Sequence, residues 1–310
     1  KNVINIVQAK NKLPLEFIQK LYENYSENIA NRILEGMLKD RLTTIRVNTI
    51  KSNIEEIEEI LHNNDIKCRK VEEIKDALII ENARENELEK LDIYKMGKIY
   101  LQSLSSMIPP IVLNPMKGER ILDLTAAPGS KTTQMASLME NEGYIFANEI
   151  NKIRCERLKY NVEMQGAKIV TVSNCDGRSI GDKFPEYFDK VLLDAPCSGE
   201  GRFLLTDKNT YKNWSEVQVK ELVSLQKELL KSATQALKQG GTLVYSTCTL
   251  NSDENEEMIK WATKYLGLTL TDVDIKIKGT IKSLKKCLKI LPNKEQEGFF
   301  VAKLIKEKIQ

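Results

Sequence analysis

Histidine is almost absent from this sequence: the 310 residues contain one, His62, in a segment that resembles a helix end. Zinc chemistry built on several histidines is therefore excluded, and a histidine-dependent nucleophilic triad has one poor candidate. We expect any acid–base catalysis to use carboxylates, thiols, lysines or water.

Closely paired cysteines are also missing. None of the six cysteines belongs to a C-x-x-C pair; they are Cys68, Cys155, Cys175, Cys197, Cys248 and Cys287. This spacing argues against a zinc site, and we expect no metal. Widely spaced cysteines in a long chain without a secretion signal predict reduced, cytosolic thiols.

Long hydrophobic runs are absent as well. Runs such as IPPIVL (108–113) are far shorter than the ~20 residues that span a membrane. The first 17 residues contain no apolar segment typical of a signal peptide. We therefore expect a cytoplasmic, globular protein without a membrane partner.

The net charge of +3 is small but unevenly distributed. Residues 275–310 contain ten lysines and three glutamates, so this segment alone carries a surplus of seven positive charges. Such a segment suits a polyanion, although an ordinary solvated surface would have the same composition.

The first 100 residues read as a small α/β module. Apolar residues recur at helical spacing over 14–40, TTIRVNTI (43–50) alternates like a strand, and a helical pattern follows over 52–64. One or two further strands are predicted over 68–83. We place the end of this module near residue 100.

From residue 118 onward, strands and helices alternate. The helix predicted over 215–237 is expected to end at Gly240–Gly241, before the buried strand TLVYSTCTL (242–250). This alternation predicts a Rossmann-like domain over 101–310, with a mostly parallel sheet and helices on both faces.

Polar loops follow these strands, at the edge where open α/β sheets bind ligands. The small residues of DLTAAPGSK (123–131) permit a ligand to approach the backbone, and the next helix offers free N–H groups. Glu149 and Asp176 follow the next two strands and suit a ribose and an adenine. The loop matches neither common nucleotide motif, and the set favours S-adenosylmethionine over a generic nucleotide.

Two cysteines follow neighbouring strands, Cys197 in LLDAPCSGEG and Cys248 in YSTCTLN. A thiolate that adds to C6 of cytosine makes C5 nucleophilic toward a methyl donor, whereas either cysteine taken alone fits an ordinary core role. Asp194 lies at the same strand end and would stabilise the adduct near N3, carrying or sharing a proton. Asp194, Cys197 and water remain candidates for removing the C5 proton. The target base must be single-stranded or flipped out.

These segments resemble the RsmB/NOP2/Sun family of RNA cytosine-C5 methyltransferases, over roughly residues 40–305. The matching motifs are RVNT (46–49), YLQSLSSMIPP (100–110), DLTAAPGSKTT (123–133), DGR (176–178), LLDAPCSGEG (192–201), YSTCTLNSDENEE (245–257) and EGFFVAKL (297–304). Three further segments are most similar to the bacterial RsmF-type branch, which modifies 16S ribosomal RNA: APGSKTTQ, NEGYIFANE and NWS.

The resemblance implies that Cys248 is the nucleophile, that Cys197 assists product release and that Asp194 faces the base. It also implies a set of residues that hold S-adenosylmethionine: Thr125, Ala126, Ala127, Pro128, Gly129, Ser130, Lys131, Glu149, Arg154, Asp176 and Asp194. Residues 1–100 would form a helical plus RRM-like RNA-binding module, with Arg46 and Asn48 near the domain junction.

Two departures from the family concern the RNA rather than the chemistry. The sequence stops soon after FFVAKLIKEKIQ, without the C-terminal extension of RsmF-type enzymes, and GRFLLTDKNTYKNW replaces an expected arginine–lysine–aspartate run. We expect a monomer that acts on 16S ribosomal RNA. The alternatives are a transfer-RNA methyltransferase, a catalytically idle RNA-binding or ribosome-assembly factor, and a small-molecule methyltransferase, which the N-terminal module and basic tail disfavour.

Overall fold

A computed structural model describes residues 2–310, with side chains from Asn5 onward. Helices α1 (Asn2–Lys12), α2 (Leu15–Asn24) and α3 (Glu27–Gly36) precede the first strand. Ser26 caps α3, because its side chain accepts a hydrogen bond from the Ile29 N–H. The buried faces of α2 and α3 pack against the C-terminal part of the chain, including Phe203 and Trp214.

A four-stranded antiparallel sheet with the order β2-β3-β1-β4 follows these helices. Its elements are β1 (Thr43–Val47), α4 (Ile54–Asn63), β2 (Cys68–Val71), β3 (Ile74–Ile80), α5 (Glu85–Leu88), α6 (Asp92–Lys95) and β4 (Ile99–Leu101). The predicted small α/β module is confirmed, and its strand order and β-α-β-β-α-β sequence are those of a ferredoxin-like fold.

A second sheet of nine strands occupies the rest of the chain. Its strands are β5 (Arg120–Asp123), β6 (Tyr144–Asn148), β7 (Val170–Ser173), β8 (Phe188–Asp194), β9 (Leu237–Thr247), β10 (Leu268–Thr271), β11 (Thr280–Ser283), β12 (Cys287–Ile290) and β13 (Phe299–Lys306). Its helices are α7 (Ile108–Leu113), α8 (Ser130–Leu138), α9 (Lys152–Gln165), α10 (Ile180–Lys183), α11 (Glu216–Ala236) and α12 (Glu256–Tyr265).

Five strands of this sheet run parallel in the order β7-β6-β5-β8-β9, as a Rossmann-like domain requires. Successive residues of β5 face opposite cores: Ile121 packs with α7, α8 and α9, whereas Leu122 packs with α10, α11 and α12. Helices therefore cover both faces, as predicted. Antiparallel β13 extends the sheet beside β9, and the sequence did not predict the strands over 268–306.

The ends of α11 and of the N-terminal module bear on two predicted boundaries. Helix α11 ends at Ala236, so the predicted termination at Gly240–Gly241 is wrong: the glycines lie within β9, where its pairing with β8 changes register. The domain boundary near residue 100 stays a prediction, because β4 ends at Leu101 while α2 and α3 contact the C-terminal part. Within the described part of the chain, no helix is long and apolar enough to cross a membrane.

Candidate active site

The carboxyl ends of the parallel strands place most of the predicted site residues at one edge of the sheet. Thr125 follows β5, Glu149 follows β6, Asp194 ends β8 and Cys248 follows β9 by one residue. Asp176 lies three residues beyond the edge strand β7. Because the strands are parallel, their carboxyl ends meet at one edge, and this alone places these residues together.

The loop from Thr125 to Ser130 joins β5 to α8 and is fixed from both sides. The Thr125 hydroxyl donates to the Asp194 carbonyl (2.7 Å), and the Ala126 N–H donates to the Asn148 carbonyl (2.8 Å). Gly129 has a φ of +112°, and a Cβ there would lie 3.0 Å from a side-chain carbon of α9. Glycine is thus required where the loop turns into α8.

Glu149 and Arg154 meet beside this loop. The Glu149 carboxylate, 4% exposed, accepts from the Asn151 N–H (3.0 Å) and lies 3.9 Å from the Arg154 guanidinium. Arg154 also donates to the Ala127 carbonyl (3.0 Å). Arg154 therefore connects the acidic residue of one strand end to the glycine-containing loop of the next.

Asp176 lies beyond β7, and its carboxylate is occupied by a neighbouring side chain. Its carboxylate pairs with Arg178 at 2.7 Å, and hydrogen bonds from Arg178 lower the pKa of Asp176. Arg178 also contacts Glu228 at 3.0 Å. The structure thus places Asp176 at the expected edge but with its carboxylate engaged by a neighbouring guanidinium.

Lys131 and Asp194 form an ion pair in the centre of the edge. Lys131 Nζ lies 2.8 Å from Asp194 Oδ2 and donates to the Ser106 hydroxyl at 3.0 Å. The other Asp194 oxygen accepts from the Ser246 hydroxyl at 2.9 Å. Both carboxylate oxygens of Asp194 therefore act as acceptors, one toward α8 and the other toward β9.

The two predicted cysteines are in contact: the Sγ atoms of Cys197 and Cys248 lie 3.2 Å apart, and both residues are partly exposed. The contact with Cys248, followed by burial, raises the pKa of Cys197 well above its usual value. Cys197 is therefore a thiol at neutral pH and can donate its S–H to the Cys248 sulfur. Their juxtaposition is as predicted, and their roles stay predictions.

Sequence reasoning missed the buried polar network that supports both cysteines. Ser198 donates to Glu254 through its N–H (2.9 Å) and its hydroxyl (2.5 Å), and Gln226 donates to the same carboxylate at 3.0 Å. The Asn251 amide contacts both Glu254 and Glu200, the latter at 3.0 Å. These contacts join the loop after β8 to the loop after β9. In the sequence, only the acidic residues of SGEG and NSDENEE pointed to this network.

Two further acids of this region were not predicted as site residues. Burial raises the pKa of Asp123 to about 7, although Asp123 accepts a hydrogen bond from Thr132 at 2.6 Å. Burial likewise raises the pKa of Glu200 to about 7, although Trp214 donates to it at 2.9 Å. Both acids lie behind the exposed residues of the edge, where they hold the loops in place.

From the family resemblance we expect Arg46 and Asn48 near the domain junction, and the structure places them there. Arg46, which is 2% exposed, donates to the Ser130 carbonyl (3.2 Å) and the Thr133 hydroxyl (2.9 Å) in α8. Asn48 donates to the Gln165 carbonyl at the end of α9 (2.8 Å). The ferredoxin-like sheet is thereby bonded to the two helices that follow β5 and β6.

Family models match most of the chain. The model described as 16S rRNA methyltransferase RsmB/F matches residues 110–305, which is more than half of the sequence. The chain belongs to the RsmB/F family. A second model, described as Methyltr_RsmF/B-like, ferredoxin-like domain, matches residues 13–86. The family assignment that the sequence motifs implied is confirmed.

Curated relatives of this family are similar over long segments. The chain is 36% identical to ribosomal RNA small subunit methyltransferase F of Vibrio parahaemolyticus, over 95% of this chain and 63% of that protein. It is 38% identical to the Escherichia coli O6:H1 protein of the same name, over 85% of this chain and 57% of the relative. The chain thus spans roughly three fifths of the length of these relatives.

Solved structures share the fold. A methyltransferase homolog protein from Pyrococcus horikoshii has a TM-score of 0.84 at 31% identity, covering 97% of this chain and 98% of that one. NSun6 from the same organism, solved with SFG, has a TM-score of 0.86 at 24% identity, covering 97% and 100%. The predicted fold class is confirmed.

Proposed function

We propose that this protein transfers a methyl group from S-adenosylmethionine to C5 of a cytosine in RNA, with 16S ribosomal RNA as the substrate. The observation that carries the proposal is the 3.2 Å contact of Cys197 and Cys248 beside the Lys131–Asp194 pair. Relatives named small subunit methyltransferase F support the choice of RNA, and ribosomal RNA implies a cytoplasmic location. Residues 1–100 are proposed as the RNA-binding module.

The strand-end residues fit S-adenosylmethionine. The first N–H groups of α8 have no acceptor within the helix and suit the carboxylate of its amino-acid part. Glu149, held by Asn151 and Arg154, suits the ribose hydroxyls. Asp176, three residues beyond β7, would lie on the adenine side. Thr125 to Lys131 would line the middle. When bound, S-adenosylmethionine supplies an electrophilic methyl group.

The chain's own residues would then act on the base in order. The Cys248 thiolate adds to C6, and the π-electron pair of the C5=C6 double bond moves to C5. Lys131 Nζ, which contacts Asp194 at 2.8 Å, would donate a proton to N3. After transfer, the C5 proton passes to a base, for which Asp194, Cys197 and water are the candidates. The C5=C6 double bond then re-forms, and the Cys248 sulfur departs as a thiolate that the Cys197 S–H stabilises.

The test is methyl transfer from labelled S-adenosylmethionine to unmodified 16S ribosomal RNA, to small ribosomal subunits and to transfer RNA. We expect label in 5-methylcytosine of the ribosomal RNA. Cys248→Ala should abolish transfer, whereas Cys197→Ala should accumulate a covalent protein–RNA adduct visible after denaturing electrophoresis.

The matched control is Cys287→Ala, because Cys287 is a buried thiol of β12 and is not one of the proposed site residues. This variant should transfer methyl groups at the wild-type rate. Label confined to transfer RNA would overturn the substrate, and absence of label with every RNA would favour an idle RNA-binding or assembly factor.

A further inference from the structure

Two arginines lie next to the cysteine pair, and neither belongs to the proposed chemistry. Arg202 is the last residue of the 3₁₀ turn Glu200–Arg202, in the loop that follows Cys197. Arg41 precedes β1, and its guanidinium donates to the Gly201 carbonyl in the same turn at 3.3 Å. Both guanidinium groups are thus attached to the loop that carries one of the two cysteines.

The backbone around Gly201 fixes Arg202 beside the nucleophile. The Gly201 N–H donates to the Cys248 carbonyl at 2.8 Å, and the Gly298 N–H donates to the Gly201 carbonyl at 2.8 Å. A Cβ on Gly201 would lie 2.1 Å from the Gly298 oxygen, so no side chain fits between these segments. The backbone of Arg202 is therefore one residue away from the hydrogen bond between Gly201 and Cys248.

The Arg202 side chain is mostly exposed, so packing in the core does not explain a structural role for it. Its side chain is 65% exposed, and its only acidic neighbour within salt-bridge distance among the described residues is Glu297, at 3.7 Å. Its guanidinium donates no hydrogen bond to any described residue that meets ordinary geometric limits. Burial lowers the pKa of Arg41, and the negative charge of Glu297 partly offsets that decrease. Two guanidinium groups thus face one carboxylate.

Further cations continue from this pair along the surface. Arg32, Lys39 and Lys294 are exposed and line a cavity of about 260 Å³ at the end of α3, together with Glu35. The N–H of the residue after Arg41 donates to the Lys294 carbonyl at 2.8 Å, which joins this cavity to the segment that carries Arg41. The surface between the cysteine loop and α3 therefore carries five cationic side chains beside the acids Glu35, Asp40 and Glu297.

We infer that Arg202 and Arg41 bind the RNA backbone phosphate beside the target nucleotide, and that Arg32, Lys39 and Lys294 contact the phosphates that follow. A base that enters the site must leave its own phosphates at the entrance. A guanidinium group matches a phosphate through two parallel hydrogen bonds, and exposed Arg202 has its donors available for them. This inference rests on the proposed function, because it assigns a contact to the same RNA.

Arg202→Gln is the main test, because its exposed side chain can be replaced without opening the core. We expect the KM for unmodified 16S ribosomal RNA to rise about tenfold, with kcat at saturating RNA and S-adenosylmethionine binding little changed. The slope of log K against log salt should fall by about 0.7 for one lost phosphate contact. Arg202→Lys should give an intermediate KM, because it keeps the charge and loses the paired donors.

Arg120→Gln is the matched control, because Arg120 is an exposed arginine at the opposite end of β5, stacked on Tyr187. It removes the same charge and should leave KM and the salt slope unchanged. Arg41→Lys tests the second arginine while keeping a cation, and its thermal unfolding separates a binding loss from a folding loss.

The two proposals fail differently. If wild-type protein labels no cytosine in any RNA, the proposed function is wrong. If wild-type protein is active and Arg202→Gln matches Arg120→Gln in KM and salt slope, the phosphate contact is wrong while the methyl transfer stands. A fall in kcat without a change in KM would also contradict the phosphate contact.

Discussion

Lys131 Nζ lies 2.8 Å from Oδ2 of Asp194, and this ion pair joins the first turn of α8 to the end of β8. Since Ser246 near the end of β9 also donates to Asp194, at 2.9 Å, one carboxylate connects the proposed cofactor loop to the strand that precedes Cys248. The ion pair is therefore at the point where the proposed cofactor and base would meet.

Asp194→Asn should lower kcat about 10²–10⁴-fold, because an amide neither pairs with Lys131 nor orients it toward N3. Asp189→Asn is the matched control: Asp189 lies at the start of the same strand and pairs with Lys238 at 2.9 Å. The measurement is single-turnover methyl transfer to unmodified 16S ribosomal RNA. An Asp194→Asn rate within tenfold of the Asp189→Asn rate would contradict the role of Asp194.

Much of the site was predictable because it depends on strand direction. Once β5, β6, β8 and β9 are parallel, Thr125, Glu149, Asp194 and Cys248 must lie at one edge. No tertiary information is needed for that step. The contact between Cys197 and Cys248 follows from the same rule, because β8 and β9 are neighbours.

What the sequence could not predict depends on contacts between distant segments. Strand β12 was missed because Lys289 faces inward, where it lies 3.0 Å from Glu256, and so breaks the expected alternation. The glycine pair in β9 resembled a helix end because both features favour glycine. The network of Glu200, Asn251 and Glu254 is polar and buried, a combination that composition does not reveal.

The lysine-rich C-terminal segment contributes fewer free cations than its composition indicates. Lys289 is buried against Glu256, Lys282 pairs with Asp272 at 3.0 Å, and Lys306 pairs with Glu186 at 3.6 Å. The segment therefore cannot present ten lysines to an RNA. Exposed lysines of this segment without such acidic partners are Lys276, Lys278, Lys285, Lys286, Lys294 and Lys308.

Replacing Lys276, Lys278 and Lys285 by glutamine should reduce the salt slope of RNA binding by about 2, if each contacts a phosphate of single-stranded RNA. The control replaces Lys168, Lys231 and Lys264, which are exposed lysines outside this segment that form no salt bridge with a described residue. Filter binding over a range of salt concentrations gives both slopes. Equal slopes in the two triple variants would show that the tail takes no part in binding.

Phe17 should be important for stability, although it lies far from the strand ends in sequence. Its ring is 2% exposed and contacts Phe203 and Trp214, with centroids 5.0 and 5.9 Å apart. Phe17→Ala should lower the free energy of unfolding by about 3–5 kcal/mol through lost burial and a cavity. Leu15→Ala, at a 62% exposed position of the same helix, should change it by less than about 0.5 kcal/mol. Urea unfolding compares the two, and similar values would contradict the packing of α2 on the C-terminal part of the chain.

Glu200 should make the stability of the protein depend on pH. Burial raises its pKa to about 7 from an ordinary value of 4.5, so the folded state holds the proton more tightly than the unfolded state. The contribution of the protonated group is fully present below about pH 4.5 and is lost as the pH rises toward about 7. Glu200→Gln removes this titration while keeping a neutral side chain.

The unfolding free energy of Glu200→Gln relative to wild type should therefore rise between about pH 4.5 and about pH 7, by at most about 3 kcal/mol, and level off above that range. Urea unfolding at a series of pH values measures the difference. Glu257→Gln is the control, because Glu257 is an exposed acid on α12 whose contribution solvent screens. A difference for Glu200→Gln that stays constant across this range would show that the buried carboxyl group does not titrate there, and the hydrogen bonds from Trp214 and Asn251 would then hold Glu200 in one ionisation state throughout.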